Sequence, residues 1–272
     1  VGKVGTMPGK AAIILGNSHL SSVILHLQDR PAEVYGSDDS IQYYVFDTVK
    51  HGAGFPFSID SGGGRYILNP AVLEMIKAKV PADREILYIS MYGGNAHNVL
   101  TLKEHPRPFD FVVPWRQDLP IDNNRELVSF AYIHRFLKKL TEAYELNMTT
   151  LQNAARELGG HAFHFQSPPP VRDNAFILHH LEDWFKSDQP VEVAAPLLRY
   201  KMWLAHSKII ADYCSGIGME FLETPQSAKD RDGYLLEEHG RDSTHAGPSF
   251  GKILLNQFEQ RLGLRYDGWA WL

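Results

Sequence analysis

Cysteine is almost missing from this chain: Cys214 is the only one in 272 residues. A single thiol excludes an intrachain disulfide framework and a Cys-rich zinc ribbon, and a reducing, cytoplasmic setting is the expectation that follows. Excess positive charge is also absent. Lys and Arg total 27 against 32 Asp and Glu, a net charge of −5, with no Lys/Arg run. A nucleic-acid partner, which needs a basic stripe to displace phosphate counterions, is therefore not expected. Apolar runs such as Ala11–Leu15 fall far below the roughly 20 residues of a membrane-spanning helix. No Walker A or Gly-x-Gly-x-x-Gly sequence occurs, so a nucleotide cofactor has no support. Metal ligation has little more. No His-Glu-x-x-His motif is present, and the strand-like sequence around His161-x-x-His164 sends those two rings to opposite faces.

The remainder is ordinary globular composition, 44% hydrophobic and 22% charged, in a length that suits one α/β domain. Residues 1–10 lack a long apolar core and read as a terminal segment, consistent with a trimmed end such as removal of a signal peptide leaves, ahead of a single domain at 11–272. Short apolar runs alternate with longer amphipathic segments, which predicts stacked βα units. Strands are expected at 11–15, 41–49, 85–91, 161–166 and 219–223. Helices are expected at 21–27, 70–78, 123–158 (long or broken in two), 195–215 and 248–262, with a Gly-rich loop at 50–66. In a parallel sheet of this kind, functional groups collect at the carboxyl ends of the strands.

Three strand ends carry chemistry-bearing residues. Ser18 follows the first strand and precedes a helix, a placement that suits either a nucleophile or a helix cap. A nucleophilic serine needs a base, and the base an orienting carboxylate. Asp242-Ser243-Thr244-His245 is the only place where an acid is followed three positions later by His, so one loop can fold the carboxylate onto Nδ1 and leave Nε2 free; an Asx turn capping the last helix is the plainer alternative. Acyl transfer further needs donors for the developing oxyanion. Asn95, after Gly93-Gly94 at the end of the third strand, can offer an amide, and Gly62, Gly63 and Gly64 can offer a backbone N–H. Cys214, on an apolar helix, reads as a buried, inert thiol.

Taken together, Gly16-x-Ser18, a glycine after the second strand, Gly93-x-Asn95 and Asp242-x-x-His245 before the last helix resemble the SGNH hydrolase family, also called GDSL hydrolases, along the whole chain. The resemblance implies a flavodoxin-like three-layer α/β/α sandwich with a five-stranded parallel sheet of order 2-1-3-4-5. It implies Ser18 as nucleophile in a triad with Asp242 and His245, and an oxyanion hole from Ser18 N–H, Gly63 and Asn95, with Gly62, Gly64, Gly52 or Gly54 as alternatives for the glycine. Two positions depart from the family pattern. Asn17 stands where Asp usually precedes the serine, and Ala96 where Asp often follows the asparagine.

The activity so implied is that of a serine esterase. The long loops at 50–66, 102–124 and 167–174 bring Phe55, Phe57, Trp115, Arg65, Arg116 and Arg172 toward the expected pocket rim. Aromatics with arginines suit a sugar ring or an acidic glycan, which favours O-deacetylation of a carbohydrate, although the same residues could simply pack and solubilise the loops. Acyl transfer to a sugar hydroxyl through the same triad, or glycan binding without catalysis, are the alternatives. No cofactor is expected.

Overall fold

The computed structural model describes residues 9–34, 37–47, 56–186 and 190–272. Ten strands occur among these residues: β1 (Lys10–Gly16), β2 (Ser40–Asp47), β3 (Ser58–Asp60), β4 (Tyr66–Leu68), β5 (Glu85–Met91), β6 (Phe109–Asp110), β7 (Glu126–Leu127), β8 (His161–Phe165), β9 (Glu220–Leu222) and β10 (Arg265–Trp271). The helices are α1 (Leu20–Asp29), α2 (Pro70–Lys79), α3 (Asn98–Thr101), α4 (Phe130–Leu158), α5 (Asn174–His179), α6 (Pro196–Ile217) and α7 (Pro248–Leu262).

Six strands form one parallel sheet in the order β10-β2-β1-β5-β8-β9. The expected five-stranded order survives inside it as β2-β1-β5-β8-β9. The strand count does not, because β10 adds a sixth strand outside β2. Its sequence hides it: Asp267 and Gly268 interrupt the aromatic alternation, and the register shifts between Tyr266 and Gly268. Arg84 compensates the inward Asp267 with an ion pair of 2.7 Å.

Alternation along the strands loads both faces, as a sheet covered on two sides requires. Ala12, Ile14, Tyr43, Val45, Leu87 and Ile89 pack toward Leu20, Val23 and Leu27 of α1 and Leu254, Leu255 and Phe258 of α7. Ala11, Ile13, Leu15, Phe46 and Tyr88 face Val72 and Ile76 of α2, Met148 and Leu151 of α4, and Ile210 and Cys214 of α6. The result is the three-layer α/β/α sandwich. Helix starts follow local chemistry: the Asn69 side chain caps α2 through Ala71 N–H at 3.0 Å, Asp173 caps α5 through Ala175 N–H at 2.8 Å, and prolines open α2, α6 and α7. Left-handed Gly218 and Gly263 end α6 and α7.

Helix α4 is a single 29-residue helix, about 43 Å long, whereas a seven-residue strand spans only about 23 Å. Because α4 feeds β8 at its C-terminal end, the surplus projects beyond the carboxyl edge of the sheet. There Ile133 and Leu137 of α4 meet Leu198, Met202, Ala205 and Ile209 of α6 and Phe109, Phe111 and Val113, a separate apolar core. A buried ion pair, Lys201 with Asp110 at 2.8 Å, ties α6 to β6 beside it. Among the described residues, no helix is long and apolar enough to cross a membrane.

Candidate active site

The carboxyl ends of β1 and β5 meet closely enough that a Cβ on Gly16 would lie 2.8 Å from the Met91 carbonyl oxygen. From this contact the chain turns sharply through Asn17-Ser18-His19 into α1, held by Leu20 N–H to Asn17 O at 2.9 Å and Ser21 N–H to Ser18 O at 3.2 Å. Ser18 is exposed in this turn. It does not cap α1: His19 holds the N-cap position, and no side chain fills the capping role. Among the described residues no hydrogen bond reaches Ser18 Oγ, from His245 or any other group.

His245 is held from one loop, as its spacing from Asp242 predicts. Asp242 Oδ1 accepts from Nδ1 at 2.9 Å and from the backbone N–H groups of Thr244 and His245 at 3.0 and 2.7 Å. The Asx turn and the carboxylate–imidazole pair are thus one structure. Asp242 does not cap α7, whose N-cap is Gly247. Glu182, from the loop after α5, adds a second carboxylate at 3.3 Å from Nδ1. Burial pulls the His245 imidazole down, but Asp242 and Glu182 outweigh it and lift its pKa to about 8. Burial conversely raises Asp242, and the hydrogen bond and charge of His245, with Thr244 N–H and Arg241, hold it well below the usual carboxylate range.

Asn95 sits opposite. Its Oδ1 accepts from Asn98 Nδ2 at 3.0 Å, which fixes the amide so that Nδ2 lies 3.2 Å from His245 Nε2. With the proton on Nδ1, where Asp242 draws it, Nε2 accepts this bond. The amide thus fits the neutral ring, the form that prevails above its pKa of about 8. His19 covers the remaining side, its ring 5.0 Å from that of His245. It lies against Gly94, where a Cβ would come within 2.3 Å of His19 Cδ2. Burial, then the neighbouring His245, push the His19 pKa down to about 3, so it is a neutral packing group. Behind it His97 and His206 share a hydrogen bond of 3.3 Å between their Nδ1 atoms, and His164 Nδ1 bonds Ser90 Oγ at 3.0 Å. Burial lowers the pKa of all three.

Asn95, Asp242 and His245 are therefore brought together, and Ser18 shares their sheet edge without touching His245. Gly63 is not brought to them, which corrects the expectation from the glycine triplet. It lies at the tip of the β3–β4 hairpin, with φ +65° and, among the described residues, nothing within 4 Å of where a Cβ would sit. Gly93 at the carboxyl edge packs on Tyr144, whereas Arg65 beside Gly63 pairs with Glu157 at 2.9 Å, 13 residues further down α4, or about 20 Å toward the amino edge. Gly62 and Gly64 share that hairpin. Gly52 and Gly54 lie outside the described residues, as does Phe55.

The expected rim residues also separate. Phe57 is buried in the main core, Arg65 is in the hairpin, and Trp115 stands edge-on to Phe130. Arg116 and Arg172 line a cleft of about 560 Å³ with Tyr200, Trp203 and Tyr234, and the same cleft does not include His245. Both arginines are engaged there, Arg116 by Asp118 at 2.8 Å and Arg172 by Asp230 at 3.1 Å and Asp232 at 2.5 Å. Cys214 is buried, and burial pushes its thiol up to about 12. His161 is exposed and His164 buried, on opposite faces of β8. Glu182, Asp242 and His245 place three ligand atoms within 4.8 Å of one another, the only such group among the described residues, and hydrogen bonds account for each member.

No family model matches this chain, and no curated protein does. Solved structures that resemble it include a GDSL-like lipase from Bacteroides thetaiotaomicron, at 11% identity over 93% of this chain and 88% of that one, with a TM-score of 0.39. A carbohydrate acetylesterase from Sinorhizobium meliloti gives 12% identity over 94% and 99%, TM-score 0.39. An extracellular lipase from Streptomyces rimosus gives 13% over 92% and 100%, TM-score 0.43. Values this low do not extend to chemistry or substrate, which rest on the residues of this chain.

Proposed function

We propose that the protein is a serine esterase of the SGNH type, with Ser18 as nucleophile and the Asp242–His245 pair as its base. The observation that carries this reading is the Asp242–His245 hydrogen bond of 2.9 Å, with Nε2 turned to the Asn95 amide at the sheet edge where Ser18 is exposed. A hydroxyl exposed in a tight turn, with neither a capping nor a packing role, is free to act as a nucleophile. Catalytic hydrogen bonds are often incomplete without substrate, so the missing Ser18–His245 contact is compatible with the role.

In the reaction, Ser18 Oγ attacks the ester carbonyl carbon while Nε2 takes its proton. The imidazolium can no longer accept from the Asn95 amide, which is released to the new oxyanion beside Ser18 N–H. Collapse expels the alcohol, which carries away the His245 proton, and water repeats the sequence on the acyl-enzyme. A small acyl ester, such as an O-acetylated carbohydrate, is the substrate class we favour, since the cavity that includes Asp242 and His245 is only about 20 Å³ and does not suit a long acyl chain.

The test is release from p-nitrophenyl acetate by the wild type, Ser18→Ala and His245→Ala. Activity in the parent and loss in both variants supports the esterase. An inactive parent that a fluorophosphonate also fails to label at Ser18 overturns it in favour of a glycan-binding protein, the reading that the unlinked Ser18 would then explain. Competition between water and an added sugar acceptor separates hydrolysis from acyl transfer.

A further inference from the structure

The His245 imidazole carries two carboxylates on one nitrogen, where a base needs a single orienting acid. Their surroundings differ. Asp242 is saturated: Oδ1 accepts two backbone N–H groups besides Nδ1, and Oδ2 is gripped by the Arg241 guanidinium at 2.8 and 3.0 Å. Its position is fixed by the backbone, and its charge is largely met by a cation. Among the described residues Glu182 has no such cation. It accepts from neutral hydroxyls only, from Ser243 Oγ and from Thr244 Oγ1 at 3.1 Å to each carboxylate oxygen. Among the described residues its one ionisable partner is His245. Asp242-Ser243-Thr244-His245 thus holds two acids: the first by its own sequence, the second by the two hydroxyls between Asp and His.

We propose that Glu182 is a positioning residue with an electrostatic task distinct from that of Asp242: Asp242 fixes the tautomer and orientation of His245, and Glu182 supplies the uncompensated negative charge that stabilises the ring once Nε2 takes a proton. The groups around the ring leave this task to Glu182. From the β1–α1 turn comes His19, buried and neutral; from the turn after β5 come the uncharged Asn95 amide and His97, kept neutral by burial; from α6 comes Arg199, which lines the same cavity and is engaged by the Asn174 amide and the Val171 and Arg172 carbonyls; from the loop of His245 itself come the Thr244 hydroxyl, Asp242 and the cation of Arg241 that offsets it. The lift of the ring to about 8, against its own burial, agrees with two acids acting together. The catalytic meaning of this role rests on the esterase reading, whereas the charge relation between Glu182 and His245 does not.

The experiment is an NMR pH titration of the His245 ring in the full chain, the resonance being assigned by its loss in His245→Asn. In Glu182→Gln the midpoint should fall by about one pH unit, the lower end of what an adjacent opposite charge contributes, with the ring nitrogen shifts still reporting Nδ1–H. In Arg241→Gln, which frees the charge of Asp242, it should move up. In Asp242→Asn the tautomer should change. The acid limb of kcat/KM on p-nitrophenyl acetate should follow the midpoint to lower pH in Glu182→Gln. An unmoved midpoint in Glu182→Gln, or an altered tautomer there, overturns the proposal. If that variant does not fold, a midpoint that fails to rise in Arg241→Gln does so instead. Titrations that move as expected in a protein without esterase activity would overturn the esterase reading and leave the Glu182 assignment standing.

Discussion

Acid should destabilise this protein well before its carboxylates protonate. Burial holds His19 and His164 at about 3 and His206 at about 4, against 6.5 for a free histidine. Such groups bind protons in the unfolded chain but not in the folded one. Their stabilisation is complete above pH 6.5 and is lost as pH falls from there toward the folded values. At pH 5, about 1.5 pH units below the unfolded value, each costs about 2 kcal/mol, and the three together about 6 kcal/mol. That is comparable with the whole stability of many domains, about 5–15 kcal/mol. His245 has the opposite sign. Raised to about 8, it stabilises fully below pH 6.5 by about 2 kcal/mol and loses that contribution as pH rises through 8. Stability should therefore peak near pH 6.5. At about 2–4 °C per kcal/mol for a large domain, Tm should drop by on the order of 10–20 °C between pH 7 and 5. Calorimetry across pH 5–9 measures this. His164→Asn, which keeps a polar atom toward Ser90, should flatten the acid limb by about 2 kcal/mol at pH 5 even if its Tm is lower throughout. A wild-type Tm that stays level from pH 7 to 5, or an equal slope in His164→Asn, would refute the reasoning.

Asn95→Ala should lower kcat on p-nitrophenyl acetate by about 10²–10³ with little change in KM, as loss of one oxyanion donor does; a raised KM at unchanged kcat would speak against that role. Gly94→Ala puts a Cβ within 2.3 Å of the buried His19 ring and should cost about 1–3 kcal/mol while pushing His19 onto His245, so Tm and kcat should fall together. A Tm equal to wild type would show that the ring has room to move. Gly63→Ala, at an open left-handed position far from His245, should cost about 1 kcal/mol and leave kcat/KM unchanged; a large loss of activity would restore Gly63 to the site.

The parts of the fold legible from sequence are those with local punctuation. Glu85–Met91 is an apolar run closed by Gly-Gly-Asn, and Pro248–Leu262 is an amphipathic stretch between a proline and a glycine; both have the bounds expected of them. Strand β10 is hidden because its pairing depends on β2, more than two hundred residues away, and its own pattern is broken by Asp267 and Gly268. The site divides in the same way. Asp242 and His245 are legible because three residues of spacing suffice to join them. Glu182 reaches the same nitrogen from 63 positions upstream, with no pattern around it to mark the meeting. Three glycines fit any loop, and only the β3–β4 pairing decides that theirs lies at the far end of α4. His19 stands unmarked beside Ser18, yet Gly94 is shaped around its ring.

The overhang of α4 and α6 gives the molecule an apolar core separate from those of the sheet. The sheet draws its stability from the cores on its two faces, whereas the projecting ends rest on the smaller cluster of Phe109, Phe111, Ile133, Leu137 and Leu198. A region with its own small core opens at lower cost than the sheet does. Amide protons at the start of α4 should exchange faster than those near its C-terminal end, although both belong to one continuous helix.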